Sequence, residues 1–322
     1  MARVLSGIQP SGKLHLGNYF GAIKQHIELQ EKNECFYFIA NYHALTSIQE
    51  KELIQRYTLD VALDYLSLGL DPKKTVFYCQ SDLPEVTELT WLLSVVTPMG
   101  LLERAHSYKD KISKGLSPSH GLFSYPVLMA ADILIVDSNI VPVGKDQKQH
   151  LEMTRDIAIK FNQTFGDTFV MPEERIEEET AVVPGIDGQK MSKSYNNTIE
   201  IFCEGEELKR KVMSIVTDSA PVEAPKDPDK NNVFALLKLF ISKEEREEWI
   251  LKFKKGGLKY SDLKKRLIEV IDIKFKDARE KRKELEKDKK YVLEVLKEGA
   301  ERARAVAKNT LQRARDACGL NL

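Results

Sequence analysis

The 322-residue sequence is poor in cysteine, and its four cysteines, Cys35, Cys79, Cys203 and Cys318, stand far apart with no C-x-x-C pair. That scatter argues against a disulfide framework and a thiolate metal site, and predicts reduced thiols in a cytoplasmic protein. No run of about 18 apolar residues occurs, so no membrane span is expected. The stretch from Met1 is interrupted by Gly7 and Pro10 too early to read as a signal peptide. Both G-x-G-x-x-G and G-x-x-x-x-G-K-[ST] are missing, which removes the usual fingerprints of dinucleotide and P-loop sites. Internal repeats and low-complexity tracts are lacking too. No metal-ligand spacing is evident, since His150 and Glu152 are two apart on an expected helix and do not share a face.

Net charge is also lacking, with 49 Lys and Arg against 49 Asp and Glu, but the balance is uneven along the chain. From Ile241 to the end, basic residues outnumber acidic ones by eight. A basic C-terminal part beside a more acidic first part suits a polyanionic partner. Stretches such as Lys281 to Lys287 mix both signs, however, and read equally well as a solvated helix face.

What is present is a strand–helix alternation. Ala2–Ser6, Cys35–Ala40, Thr75–Gln80 and Ile140–Val143 read as short buried strands. Helices are expected between them, from about Gly17 to Lys32, from Lys51 to Leu70, and again from about Asp146. Strands separated by helices of this length imply βαβ units, hence an α/β fold around a Rossmann-like parallel sheet. After Val170 the texture changes: Gly185 and Gly188 punctuate a loop, and from Glu206 nearly everything is helical in composition, with breaks at Ala220–Asp229 and Gly256–Gly257. The expected division is therefore residues 1–186, an α/β domain, and 187–322, a lysine-rich loop followed by an all-helical domain.

Two short elements about 175 residues apart stand out. In the first, strand residues lead into Ser6-Gly7-Ile8-Gln9-Pro10-Ser11-Gly12, and a helix opens just after His15-Leu16-Gly17-Asn18. Glycines allow close backbone approach, and a helix N-terminus presents free N–H groups and a positive dipole to phosphate. His15 and Asn18 add side-chain donors. An ordinary strand–turn–helix reads the same way when taken alone. The second element, Lys190-Met191-Ser192-Lys193-Ser194, sets two ammonium groups on one loop, suited to neutralising the β- and γ-phosphates of ATP and to closing over it. An exposed basic loop is the plainer alternative.

A third stretch, Tyr125 to Leu134, read as a helix, aligns Tyr125, Met129, Asp132 and, two residues beyond its end, Val136 on one face. A carboxylate on an apolar face is costly to bury unless a donor meets it. An indole N–H is such a donor, and the Met129 thioether suits a flat ring; a helix cap or an internal ion pair would also account for Asp132. In Val141-Pro142-Val143-Gly144-Lys145-Asp146-Gln147, Gly144 admits a ligand to the backbone, while Asp146 suits ribose hydroxyls or a helix cap.

Together these stretches resemble the class I aminoacyl-tRNA synthetases. The family's "HIGH" motif corresponds to His15-Leu16-Gly17-Asn18, with Asn in the fourth place, and its "KMSKS" motif matches Lys190 to Ser194 letter for letter. The resemblance runs the length of the chain and is most specific to the tryptophanyl branch. It implies a Rossmann catalytic domain, a helical domain that helps read the anticodon, a symmetric homodimer, and use of Mg²⁺–ATP, L-tryptophan and tRNA(Trp). The implied ATP contacts are Gln9, Pro10, Ser11, Gly17 and Asn18, then Gly144, Lys145 and Asp146, then Val183 and the loop residues Lys190, Met191, Ser192, Lys193 and Ser194. Lys190, Lys193 and Lys111, with His15 and Asn18, would stabilise the departing pyrophosphate. Tryptophan would meet Asp132, Met129, Tyr125, His43 and Gln147, and Leu5 stands where some members carry an aromatic residue. The tyrosyl branch typically has Gln in place of Met129, so Met129 favours tryptophan.

Overall fold

A computed structural model describes residues 2–113, 117–142, 148–175 and 183–321. Five parallel strands form one sheet: β1 (Arg3–Ile8), β2 (Glu34–Ile39), β3 (Thr75–Cys79), β4 (Ile140–Pro142) and β5 (Glu173–Arg175), in the order β3-β2-β1-β4-β5. The first four coincide with the expected strands to within two residues at each end. The fifth was not foreseen: its three residues, Glu-Glu-Arg, have neither alternation nor apolar content, and only pairing with β4 makes them a strand.

Alternation explains the layers. Val4, Tyr37 and Phe77 point into one hydrophobic cluster while Leu5, Phe36 and Val76 point into another, as the two-residue period of a strand requires. Both faces being covered, the inner β2 and the neighbouring β3 are nearly all apolar, as strands of parallel sheets are. The chain order reverses between β1 and β4, the switch point at which ligands of such sheets bind, outside the carboxyl ends of the strands.

The helix after β1 starts as α1 (Leu16–Asn18), widens into a π turn at Tyr19–Ile23, and continues as α2 (Lys24–Leu29). It ends three residues before the expected stop at Lys32. Next come α3 (Asn41–Ala44), α4 (Lys51–Ser67), α5 (Glu85–Ser94), α6 (Met99–Leu102), α7 (His106–Ser113) and α8 (His120–Ile135). Helix α9 (Lys148–Phe165) follows β4. Then come α10 (Gly205–Met213), α11 (Asn232–Leu237), α12 (Lys243–Lys255), α13 (Tyr260–Lys287) and α14 (Lys289–Ala317). The composition break before α11 is held by Lys226, whose buried ammonium donates to the carbonyls of Pro221, Val222 and Ala224 at 2.8, 2.9 and 3.0 Å.

Helix α14 does not stay with the other C-terminal helices. It lies across β3, the edge strand, where a Cβ at Gly299 would collide with the Phe77 carbonyl. Arg302 donates to the carbonyls of Pro72 and Thr75, both at 2.9 Å, and Arg304 pairs with Glu85 at 2.8 Å. The helix so covers an edge that would otherwise invite pairing. All four cysteines are free; Cys35, Cys79 and Cys203 are buried.

Candidate active site at the sheet switch point

A cavity of about 530 Å³ opens at the carboxyl ends of β1, β2 and β4. Leu5 to Gln9 form its floor, Phe38 and Ala40 one side, Val141 and Pro142 the other. The π turn brings Gly21, Ala22 and Gln25 to its wall, and the Gln25 amide nitrogen is buried with no hydrogen-bond partner among the described residues. π bulges commonly re-aim side chains at such places.

Helix α8 contributes Tyr125, Met129, Asp132 and Ile133. Val136 does not join them: it lies just past the last helical turn and is wholly buried in the core. Asp132 is only 3 % exposed and receives three hydrogen bonds, all at 2.9 Å: one from His43 Nε2 and two from Gln80 Nε2. Burial pushes its carboxyl above the ordinary range, and the His43 and Gln80 hydrogen bonds oppose that shift. An ionised carboxylate has about four acceptor sites, so this one keeps capacity for a further donor arriving through the cavity.

Gln80 went unnoticed in the sequence. Its Oε1 accepts from the backbone N–H groups of Tyr42 and His43 at 3.0 and 3.4 Å, so one buried side chain ties α3 to Asp132 on α8. His150 was also missed as a wall residue: it bonds the Tyr125 hydroxyl through Nε2 and lines the same cavity. The available signal was position alone, Gln80 just beyond the end of β3 and His150 near the start of the helix after β4.

Beside this cavity the two lysine- and glycine-bearing elements meet. Leu16 N–H donates to Ile199 O at 2.9 Å and Ile201 N–H to Leu14 O at 3.1 Å, so the chain just after the lysine loop pairs antiparallel with the first motif. Lys193 Nζ reaches Gly12 O at 2.9 Å and Ser11 Oγ at 3.3 Å. A second cleft of about 490 Å³ lies there, with Lys13, Arg56 and Lys193 among its lining residues. Burial lowers the Lys193 ammonium to about 8, with the Asp64 carboxylate acting the other way.

The lysine loop is a tight hairpin. Pro184 bridges Lys190, Met191 N–H donates to Val183 O at 2.9 Å, and both Val183 and Met191 are buried. Asn197 organises it: Oδ1 accepts from Ser192 N–H at 2.8 Å, while Nδ2 donates to Asp187 at 2.7 Å and to Lys190 O at 3.2 Å. Lys190 and Ser194 are exposed. In the first motif, Asn18 Oδ1 accepts from His15 N–H at 3.1 Å. Burial drives the His15 imidazole down to about 4, aided by the Lys193 charge, so the ring is neutral at physiological pH. A Cβ at Gly17 would come within 2.9 Å of that ring.

Of the expected site residues, Leu5, Gln9, His43, Tyr125, Met129 and Asp132 line the first cavity, and Ser11 and Lys193 the second. Pro10 is buried between them. Gly144, Lys145, Asp146 and Gln147 lie outside the described residues, as does the side chain of Lys111, whose backbone belongs to α7. Among the described residues one trio, Glu200, Cys203 and Glu207, brings potential metal-ligating atoms within 4.8 Å of one another. Glu200 is already paired with Lys211 and burial raises the Cys203 thiol to about 11, so the trio is poorly suited to a cation.

Residues 1–276 match the family described as tRNA synthetases class I (W and Y). The chain belongs to that family. It is 56 % identical to the tryptophan–tRNA ligase of Fusobacterium nucleatum over 321 residues, 99 % of this chain and 98 % of the relative. A tryptophanyl-tRNA synthetase from Campylobacter jejuni, solved in complex with ADP and tryptophan, superposes with a TM-score of 0.92 at 55 % identity, covering 98 % of this chain and 99 % of that one. The enzyme from Mycoplasma pneumoniae superposes at 0.84 with 31 % identity, covering 100 % and 98 %. The Rossmann-like sheet and the helical C-terminal part are those of the family.

Proposed function

We propose that the protein is a tryptophan–tRNA ligase. It joins L-tryptophan to ATP, releasing pyrophosphate, and passes the tryptophanyl group to the 3′ end of tRNA(Trp). The observation that carries this reading is the Asp132 carboxylate at an apolar cavity whose lining runs to Gln9, three residues before Gly12, where Lys193 docks. Relatives named as tryptophan–tRNA ligases at more than half identity over the whole chain support it.

In this reading the tryptophan carboxylate attacks the α-phosphate of ATP in line, forming the mixed anhydride as pyrophosphate leaves. The ribose hydroxyl of the tRNA terminus then attacks the activated carbonyl, and AMP leaves. No protein nucleophile is required, because positioning and charge stabilisation supply the rate. Asp132 accepts the indole N–H, and Met129 and Tyr125 flank the ring. Lys193 and Lys190 neutralise the leaving pyrophosphate, with Lys111 and the amides around His15, Gly17 and Asn18. Gln9, Pro10, Ser11, Met191, Ser192, Ser194 and Val183 shape the ATP site, together with Gly144, Lys145 and Asp146. His43, Gln147 and Leu5 complete the tryptophan site. Mg²⁺ enters as part of the nucleotide substrate, held by phosphate oxygens and water.

Residues 1–186 serve as the ATP- and tryptophan-binding domain, and 187–322 as the lysine loop and anticodon-reading helices. Homodimerisation is supported by large apolar side chains left exposed between α5 and the start of α6, Trp91, Val95 and Met99 being 69, 57 and 63 % exposed. No described helix is long and apolar enough to cross a membrane. With its free cysteines, that suits action in the cytoplasm.

The test is ATP–pyrophosphate exchange with tryptophan, with tyrosine and without amino acid. Exchange dependent on tryptophan is expected. Exchange with tyrosine alone would overturn the role given to Met129 and Asp132, and no exchange would identify a non-catalytic relative.

A further inference from the structure

Helix α13 grips the chain behind the lysine loop at three consecutive residues. Arg282 stacks over the Phe202 ring, its guanidinium carbon 5.0 Å from the centroid; Arg279 donates to Cys203 O at 2.7 Å; Lys283 pairs with Glu204 at 2.8 Å. That segment directly follows Ile199 and Ile201, whose backbones pair with the first motif. Arg282 also faces the other way. Its two terminal nitrogens donate to Asp64 at 2.8 Å and Asp60 at 2.9 Å, four residues apart on one face of α4. Its Nε lies 3.4 Å from Glu286.

Asp64 is 3 % exposed; burial raises its carboxyl to about 7, the Arg282 and Lys193 charges act the other way, and Asp60 and Glu286 add to the rise. Lys193 in turn feels Asp64 and is felt by His15, which also senses Glu200. One guanidinium therefore stands between a long C-terminal helix, the helix beside the first motif and the turn that follows the lysine loop. A planar fork with five donors can hold two carboxylates and a ring face at once; an ammonium cannot.

We propose that Arg282 is a positioning residue for the ATP step: by clamping α4 and the Phe202 segment to α13, it holds Lys193 against the first motif. The inference rests on reading Lys193 as the phosphate-handling lysine. Asp64 is its electrostatic partner in this arrangement, supporting the Lys193 proton from behind. Misplacing a charge-stabilising group by about 1 Å costs on the order of 100-fold in rate. Arg282 touches no reacting atom, so its loss should act on kcat for adenylate formation and on ATP, not on tryptophan.

The experiment is tryptophan-dependent ATP–pyrophosphate exchange on the full-length enzyme, with Arg282→Gln, Arg282→Lys, Asp64→Asn and Lys193→Ala compared at equal folded fraction. Arg282→Gln is expected to lose roughly 10- to 100-fold in kcat/KM for ATP while the KM for tryptophan stays within about twofold. Arg282→Lys should fall between it and the parent, keeping the charge without the fork. Asp64→Asn should move the alkaline limb of kcat/KM for ATP to lower pH, a readout that simple loss of packing leaves in place. Parent-like ATP kinetics in Arg282→Gln overturns the proposal, as do equal losses toward tryptophan and ATP or an unmoved limb in Asp64→Asn. If Arg282→Gln does not fold, Arg282→Lys and Asp64→Asn decide the matter. Full exchange in Lys193→Ala would instead refute the reading of Lys193 itself; loss there with none in Arg282→Gln refutes only the clamp.

Discussion

Lys193 Nζ donates to the carbonyl of Gly12 at 2.9 Å across 181 positions of sequence. The ammonium that would meet the β- and γ-phosphates of ATP is thus docked on the glycine turn of the first motif. Burial there has already partly withdrawn the amine from water.

Replacing Lys193 with Ala is expected to slow tryptophan-dependent exchange by about 100-fold or more, with tryptophan affinity little changed. The same lysine sets a pH dependence. Its folded value of about 8 lies below that of a free lysine, so kcat/KM for ATP should decline as pH rises through about 8. Lys193→Arg, which stays protonated, should lack that limb. For folding the sign is opposite: holding the amine charged costs stability below about 8, and the cost is relieved as pH rises toward the free value of about 10.4.

Asp132→Asn keeps the shape of the side chain but removes the charge that accepts from His43 and Gln80. A hydrogen bond to a charged group is worth about 1.5–3 kcal/mol. The KM for tryptophan should rise by roughly 10- to 100-fold, and the KM for ATP should stay near that of the parent. Isothermal titration with tryptophan alone checks the binding half; a rise in both constants would mean that Asp132 acts by holding the fold.

Gly17→Ala would set a methyl 2.9 Å from the Nδ1 of the buried His15 ring. The imidazole must move, at a cost of about 1–3 kcal/mol if the neighbours resist. Exchange activity is expected to fall more steeply than thermal stability. Matched melting and exchange measurements separate the two.

Acid should unfold the protein through two buried imidazoles. His15 and His26 both titrate near 4 because burial disfavours their charged forms, against about 6.5 in the unfolded chain. The unfolded state therefore binds more protons between those values, and stability falls as pH drops from 6.5 toward 4. Each group contributes up to about 1.4 kcal/mol per pH unit in that window. Tm measured from pH 7 to 4.5 should decline, and His26→Asn should flatten part of the slope.

Much of the catalytic half was legible because its signals are local. Apolar runs such as Cys-Phe-Tyr-Phe-Ile and Thr-Val-Phe-Tyr-Cys announce buried parallel strands, and the glycines and lysines of the two motifs announce themselves by spacing. Strand β5 was not legible, since Glu-Glu-Arg becomes a strand only beside β4. Gln80 was invisible for a similar reason. A glutamine after a strand is unremarked until its two ends are seen to join α3 to Asp132. Nor did the helical period of α14 disclose that it would leave its neighbours and cover β3, because amphipathicity shows which face is buried and not against what.

By itself the sequence singled out the candidates for the chemistry: the lysine pair, the carboxylate among apolar neighbours, the glycine turn before a helix. It did so because hydrogen-bond capacity, charge and backbone freedom are properties of single residues and short spacings. Tertiary structure alone decided who partners whom. The Lys193–Gly12 contact, the Gln80 bridge and the Arg282 fork between α4 and α13 join positions separated by 181, 52 and 218 residues. Such pairings arise from sheet order and helix packing, long-range arrangements that no local pattern encodes.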